Sequence, residues 1–222
     1  MKIKTLTAVT AAALAVALAG CATKQPQQHS GYLGDYSQMQ ETKDANGNPV
    51  ARTINPNFNP KNYNAVLIEP VRFYPEPQPS DKLSTADLDA IRSYINLSLY
   101  KELGKTVKLV DRAGPGVLRL NVAITSVGTE KAGLKPYQYI PIAFVVTMAK
   151  DAATGKPEEA KIFVESEVSD SVTGVRMMSA VRSGAGKSFT PSPSASVVDS
   201  LKPLIDEWIK GAAADAPKMV QG

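Results

Sequence analysis

From Tyr63 onward the hydrophobic positions fall into two alternating rhythms. Ala65 to Phe73 (AVLIEPVRF) is apolar and β-rich, and Pro70 within it demands a bulge or an edge position, because proline cannot donate to a ladder. Leu88, Ile91, Ile95, Leu99 and Leu103 then recur at three and four residues, the spacing of one helix face. Ser84 with Asp87 supplies the N-cap pair and Gly104 the C-cap. Thr106 to Val110 reads as a short strand and Ala113 to Gly116 as a turn. In Val117 to Val127, Leu118, Leu120, Val122 and Ile124 alternate with Arg119, Asn121, Ala123 and Thr125, a half-buried strand with a wet face. Lys161 to Ser169 and Val175 to Arg182 read as strands joined through Asp170–Gly174 as a hairpin. Val198, Leu201, Ile205, Trp208 and Ile209 mark an amphipathic helix, with Pro203 in its first turn or kinking it. This order predicts one α+β (mixed α/β) domain over residues 63–212, followed by a flexible tail over 213–222. Its sheet is mixed and mostly antiparallel, with one long helix from the N-terminal half and a C-terminal helix packed on it.

The chain before Tyr63 has a different texture. Residues 22–62 are rich in Gln, Asn, Gly and Pro and hold few aliphatic side chains, too few for a core of their own. Ala22 to Ser30 reads as a tether. Tyr32, Leu33, Tyr36, Phe58 and Tyr63 are spaced like anchors on a strap laid over the folded body, so residues 21–62 form a tether-and-strap segment. Residues 1–20 have the order of a secretory signal: Lys2 and Lys4, then an apolar stretch from Leu6 to Ala19 interrupted by Thr7 and Thr10. That core is about 14 residues, short of the roughly 20 a spanning helix requires. Leu18-Ala19-Gly20-Cys21 resembles the lipobox of bacterial lipoproteins. The resemblance implies cleavage between Gly20 and Cys21, with a diacylglycerol and an N-acyl chain on Cys21. It also implies outer-membrane sorting, since Ala22 and not Asp follows the cysteine.

Charge narrows the partners. The formal net charge is +4 and includes Lys2 and Lys4, so the mature chain is nearer neutrality than its whole-chain isoelectric point suggests. No Lys or Arg cluster has the density of a nucleic-acid patch. Cys21 is the sole cysteine, so no disulfide is available in an oxidising compartment.

Candidate chemistry is sparse. Gly184-Ala-Gly-Lys-Ser188 ends like a phosphate-binding loop, but Val181 stands where the first glycine belongs and Phe189-Thr-Pro-Ser-Pro193 blocks an immediate helix. It reads as a loop between the last strand and the last helix. Glu165 and Glu167 lie two apart on a strand, on one face and about 7 Å from each other. That spacing suits paired carboxylates or part of a hard-cation site. It equally suits a solvated face where Arg119, Arg176 or Arg182 forms ion pairs of little net worth, which is the reading favoured. Asp170 joins them in a candidate interaction surface, and Asp35 is a further oxygen donor without any loop spacing of a cation site. His29, the sole histidine, lies in the tether, so a zinc centre or a Ser-His or Cys-His pair inside the domain is not expected. No catalytic residue, metal ligand or cofactor is assigned beyond the acyl chains. Tyr137 to Ala149 is uncharged and apolar, read as a buried helix or strand, because it lacks the alternating polar face of a barrel strand.

Tyr63-Asn-Ala-Val-Leu-Ile-Glu-Pro-Val71, Gly116-Val-Leu-Arg-Leu120 and Ile162-Phe-Val-Glu-Ser-Glu-Val-Ser-Asp-Ser-Val-Thr-Gly174, followed by Arg176-Met-Met178, form one set. With the lipobox and Ser30-Gly-Tyr-Leu-Gly-Asp-Tyr-Ser37, the set resembles the bacterial lipoproteins grouped as domain of unknown function 3313. Val175 stands where the related pattern has Glu after the hairpin glycine. The resemblance implies class and location and brings no activity. The expected function is a binding or assembly accessory of the cell envelope, not an enzyme. Its partners are the membrane, through the lipid, and another envelope protein or cell-wall component, with no nucleic acid. A subunit of a secretion- or pore-type lipoprotein oligomer and a periplasmic hydrolase are the alternatives.

Overall fold

The computed structural model describes residues 29–77, 83–131, 157–190 and 196–222. Cys21, Gly20, the leader and the Tyr137–Ala149 stretch lie outside the described residues. Eight strands form one sheet: β1 (Gln40–Lys43), β2 (Pro49–Ile54), β3 (Ala65–Ile68), β4 (Arg72–Phe73), β5 (Leu109–Val110), β6 (Val117–Lys131), β7 (Glu158–Asp170) and β8 (Arg176–Phe189). Two helices accompany it, α1 (Thr85–Leu103) and α2 (Val197–Asp215). The strand order is β1-β2-β8-β7-β6-β3-β5, with β4 also on β6. The pairs among β1, β2, β8, β7 and β6 are antiparallel, whereas β3 and β4 run parallel to β6 and β5 parallel to β3. The mixed, mostly antiparallel sheet with a long helix and a C-terminal helix is thus the observed fold.

Local chemistry accounts for the elements. A capping box opens α1: Ser84 Oγ accepts the Asp87 N–H at 3.2 Å, and Asp87 Oδ2 accepts the Ser84 N–H at 2.9 Å. The predicted stripe, Leu88 to Leu103, is the buried face of α1. It meets Ile162, Val168, Leu201 and Trp208 in one core between the sheet and the helices. Pro70 breaks the first run as expected. β3 ends at Ile68 and β4 begins at Arg72, so three residues on that side stand opposite two on β6, between Leu120 and Ala123.

Five expectations change. Gly184 to Ser188 is not a loop but the outer half of β8, which runs on to Phe189. A Cβ on Gly184 would meet Trp208 and Leu204, and one on Gly186 would strike the Ser200 carbonyl; two absent side chains let α2 lie directly on the strand. Pro203 sits inside α2, past its first turn, where it has no N–H to give Asp199 O. Residues 213–222 are not a free tail. After a 3-10 turn at Ala216–Lys218, the Gln221 N–H donates to Pro60 O at 3.1 Å and the Gly222 N–H to Tyr63 O at 2.8 Å. The strap region contributes β1 and β2 to the sheet, around a turn in which the Asp44 carboxylate accepts the N–H groups of Asn46 and Asn48, both at 2.9 Å. Finally, β6 has a wet second face only up to Asn121, because every residue from Val122 to Thr129 is buried.

Candidate functional site

The sheet face opposite the helices carries two of the three predicted acids, and Asp170 is set apart from them at the end of β7, in register with core-facing Leu118. Glu165 and Glu167 do share it, on β7, the central strand of the seven in the ordered path. Glu165 is only 3% exposed, so it does not belong to a solvated face. The segment from His29 to Ser37 lies across it. Tyr36 Oη donates to Glu165 Oε2 at 2.7 Å and accepts the Leu33 N–H at 3.1 Å, with Ser30 Oγ at 3.4 Å. Leu33 is fully buried. Within the segment, Tyr32 packs tilted on Tyr74 and under the Arg72 guanidinium. The aromatic anchors therefore do make a strap, but only over its first part.

His29 stacks flat on Tyr36, ring centroids 3.8 Å apart and planes 4° off parallel. Burial holds its imidazole below the ordinary histidine range, and the Glu165 carboxylate pulls the other way. Burial, together with the same carboxylate, raises the Tyr36 phenol.

The remaining acids have structural partners. Glu167 accepts from Arg176 Nε at 2.7 Å. Asp170 Oδ1 accepts the N–H groups of Thr173 (2.7 Å) and Val172 (3.0 Å) and the Thr173 hydroxyl, while Oδ2 takes the Tyr63 hydroxyl at 3.1 Å. The Thr173 N–H leads in holding that carboxyl below the usual range. Asp170 thus caps the β7–β8 hairpin, which closes at Gly174 with φ +73°. Asp35 accepts the Ser37 N–H at 2.8 Å, which lowers its pKa. Arg119 pairs with Glu69, and Arg182 with Asp44 on the helix side, so only Arg176 serves the predicted acids.

Next to the strap a cleft of about 290 Å³ opens between Asp35 and Gln38 on one side and Ile54, Asn55, Arg176 and Met177 on the other. β1 stops pairing at Arg52 while β2 continues to Ile54, which is 52% exposed there. Among the described residues no group of three His, Cys, Asp or Glu side chains is placed to hold a metal ion. None of their helices is long and apolar enough to cross a membrane. The engaged carboxylates suit holding a segment in place; the open concavity is the cleft. Sequence reading missed the Tyr36–Glu165 pin, which joins residues 129 apart. It also missed the β1–β2 turn, for which Asn46-Gly47 was an available hairpin signal.

The family described as a protein of unknown function, DUF3313, matches residues 28–212. The chain belongs to the DUF3313 family. This DUF3313 chain is 34% identical over 199 residues to the uncharacterized lipoprotein YdcL of Escherichia coli K12, covering 89% of this chain and 90% of YdcL. Among solved structures, a Xanthomonas campestris protein of the DUF330 family matches with a TM-score of 0.40 at 10% identity, over 75% of this chain and 90% of its own. A minor lipoprotein of Acinetobacter baumannii matches with a TM-score of 0.36 at 9% identity, over 70% and 94%. Structural likeness at that level carries no functional information about the DUF3313 domain.

Proposed function

We propose that the chain is a lipoprotein of the bacterial outer membrane, facing the periplasm, and that it works as a binding or assembly accessory of the envelope without catalysis of its own. Cleavage between Gly20 and Cys21 leaves Cys21 to carry a diacylglycerol and an N-acyl chain, and these acyl chains bind the membrane. The observation that carries the reading is the 34% identity to a lipoprotein over most of both chains, joined to the Leu-Ala-Gly-Cys tetrad. The absence of catalysis is supported by Glu165, Glu167 and Asp170, each engaged with a neighbouring side chain or turn. The partner is another envelope protein or a cell-wall component, met at the cleft beside Ile54.

Metabolic labelling with a palmitate analogue tests the anchor. The expected result is label and outer-membrane fractionation for the natural chain, and neither for Cys21→Ser; an unlabelled natural chain overturns the reading. Photo-crosslinking in living cells from Ile54, compared with Leu97 on α1, tests the accessory role, with a discrete adduct expected from Ile54. A hydrolytic activity abolished by Glu165→Gln or Glu167→Gln would replace the accessory reading with an enzymatic one.

A further inference from the structure

The strap decides how far the body stands from its anchor. Eight peptide units separate Cys21 from His29, the first described residue, which is seated on the folded domain. Whatever conformation they take, they reach at most about 26 Å. As a coil they span about 16 Å. The landing point is central: His29 stacks on Tyr36, and Tyr36 is bonded to Glu165 on β7, with three strands to either side in the ordered path. From there each lateral edge of the sheet is about 14 Å away at ordinary strand spacing. Passing that edge and the helix layer behind it takes the path to roughly 34 Å. The leash is shorter than that detour.

We infer that the strap orients the domain on the membrane: the sheet face crossed by residues 29–37, or an edge of that face, is turned to the lipid headgroups, and α1 and α2 are held away. This rests on the reading that Cys21 is acylated. The occupant of the open face is the bilayer surface itself, set by the length of chain beyond His29 and by where that chain lands. The leash sets this orientation whatever the charge of the face, on which Arg176 is paired with Glu167 and Arg119 with Glu69. The orientation therefore survives high salt. It also turns the cleft, lined by Asp35 and Gln38 of the strap, toward the membrane side, so the partner met there is an envelope protein at the membrane surface and not a cell-wall component.

The test uses the acylated full chain, extracted from cells and reconstituted into phosphatidylethanolamine–phosphatidylglycerol vesicles that carry a headgroup acceptor dye. Donor dye is placed on Gln38→Cys or on Leu97→Cys, both exposed and on opposite sides of the sheet. Energy transfer is expected to be higher from position 38 than from 97, unchanged in high salt. Inserting twelve Gly/Ser residues after Ala22 is expected to abolish the difference. Equal or reversed transfer in the natural chain overturns the inference, as does a difference that survives the insertion. Self-quenching at position 38 that rises with protein density assigns the face to a second copy and overturns it too. Vesicles that float without protein refute acylation, and the inference falls with it.

Discussion

Tyr36 holds the strap with a single hydroxyl, and its worth comes from where the acceptor sits. Glu165 is buried, and removing its donor leaves an acceptor away from water. Tyr36→Phe is expected to cost about 2 kcal/mol, a fall in Tm of about 4–8 °C by circular dichroism. Glu165→Gln retains an acceptor oxygen and should cost less; an unchanged Tm in Tyr36→Phe would refute the pin. His29 reports on the same contact. Its folded-state pKa is depressed, so between that value and the ordinary one the unfolded chain binds more protons and strap docking strengthens as pH rises. Docking is lost as pH falls through the ordinary histidine range. Nuclear magnetic resonance titration should place the imidazole below that range. In Glu165→Gln it should fall further, because the opposing negative charge is gone. A rise would show that Glu165 does not act on it.

At the scale of elements, contact between β8 and α2 depends on what is missing from the strand. Gly186 has no room for a Cβ against the Ser200 carbonyl, and backbone cannot step aside as a flexible side chain does. Gly186→Ala is expected to cost about 1–3 kcal/mol, or more, measured by urea unfolding. Gly114→Ala, whose Cβ would meet nothing within 4 Å, serves as the near-neutral control. Equal midpoints for the two variants would refute this account of the packing. The same glycines explain why the end of β8 was misread. Gly-Ala-Gly-Lys-Ser looks like a loop by propensity, and only a helix lying on it makes bare backbone favourable. By contrast, α1 was legible from Ser84 to Gly104, because cap and stripe are local signals that tertiary contact reinforced.

At the scale of the molecule, the N-terminal hairpin is tied to β8 through a buried ion pair that also packs against the C-terminal helix. Asp44 Oδ2 lies 2.9 Å from Arg182 Nη2, with side chains 1% and 13% exposed, and the carboxylate fills the space left by Gly211 on α2. Asp44→Ala strands the arginine and is expected to cost about 3 kcal/mol, whereas adding Arg182→Leu should recover part of it. A double variant no better than the single one would refute the pairing. Burial alone would raise the Asp44 pKa, but the Asn48 N–H and the Arg182 guanidinium outweigh it and hold the carboxyl below the ordinary value. Its contribution is complete above about pH 4 and is lost as pH falls through the folded-state value. The natural chain's advantage in stability over Asp44→Ala should accordingly be full at neutral pH and shrink below about pH 4, a comparison that fluorescence-monitored urea unfolding at the two pH values makes directly.

What the sequence determined by itself was local or periodic: the two helices, the β7–β8 hairpin, the bulge at Pro70 and the mixed sheet. Each follows from neighbours a few residues apart or from a repeat that one face must bury. Only the tertiary structure decided the rest. Glu165 and Glu167 look alike in sequence, yet one is roofed by Tyr36 and the other reaches Arg176. The strap proved to be part cover and part sheet, the tail proved to be docked on Tyr63, and a glycine run proved to be a strand. These outcomes rest on contacts between residues far apart in the chain, and such contacts leave no period or spacing to read.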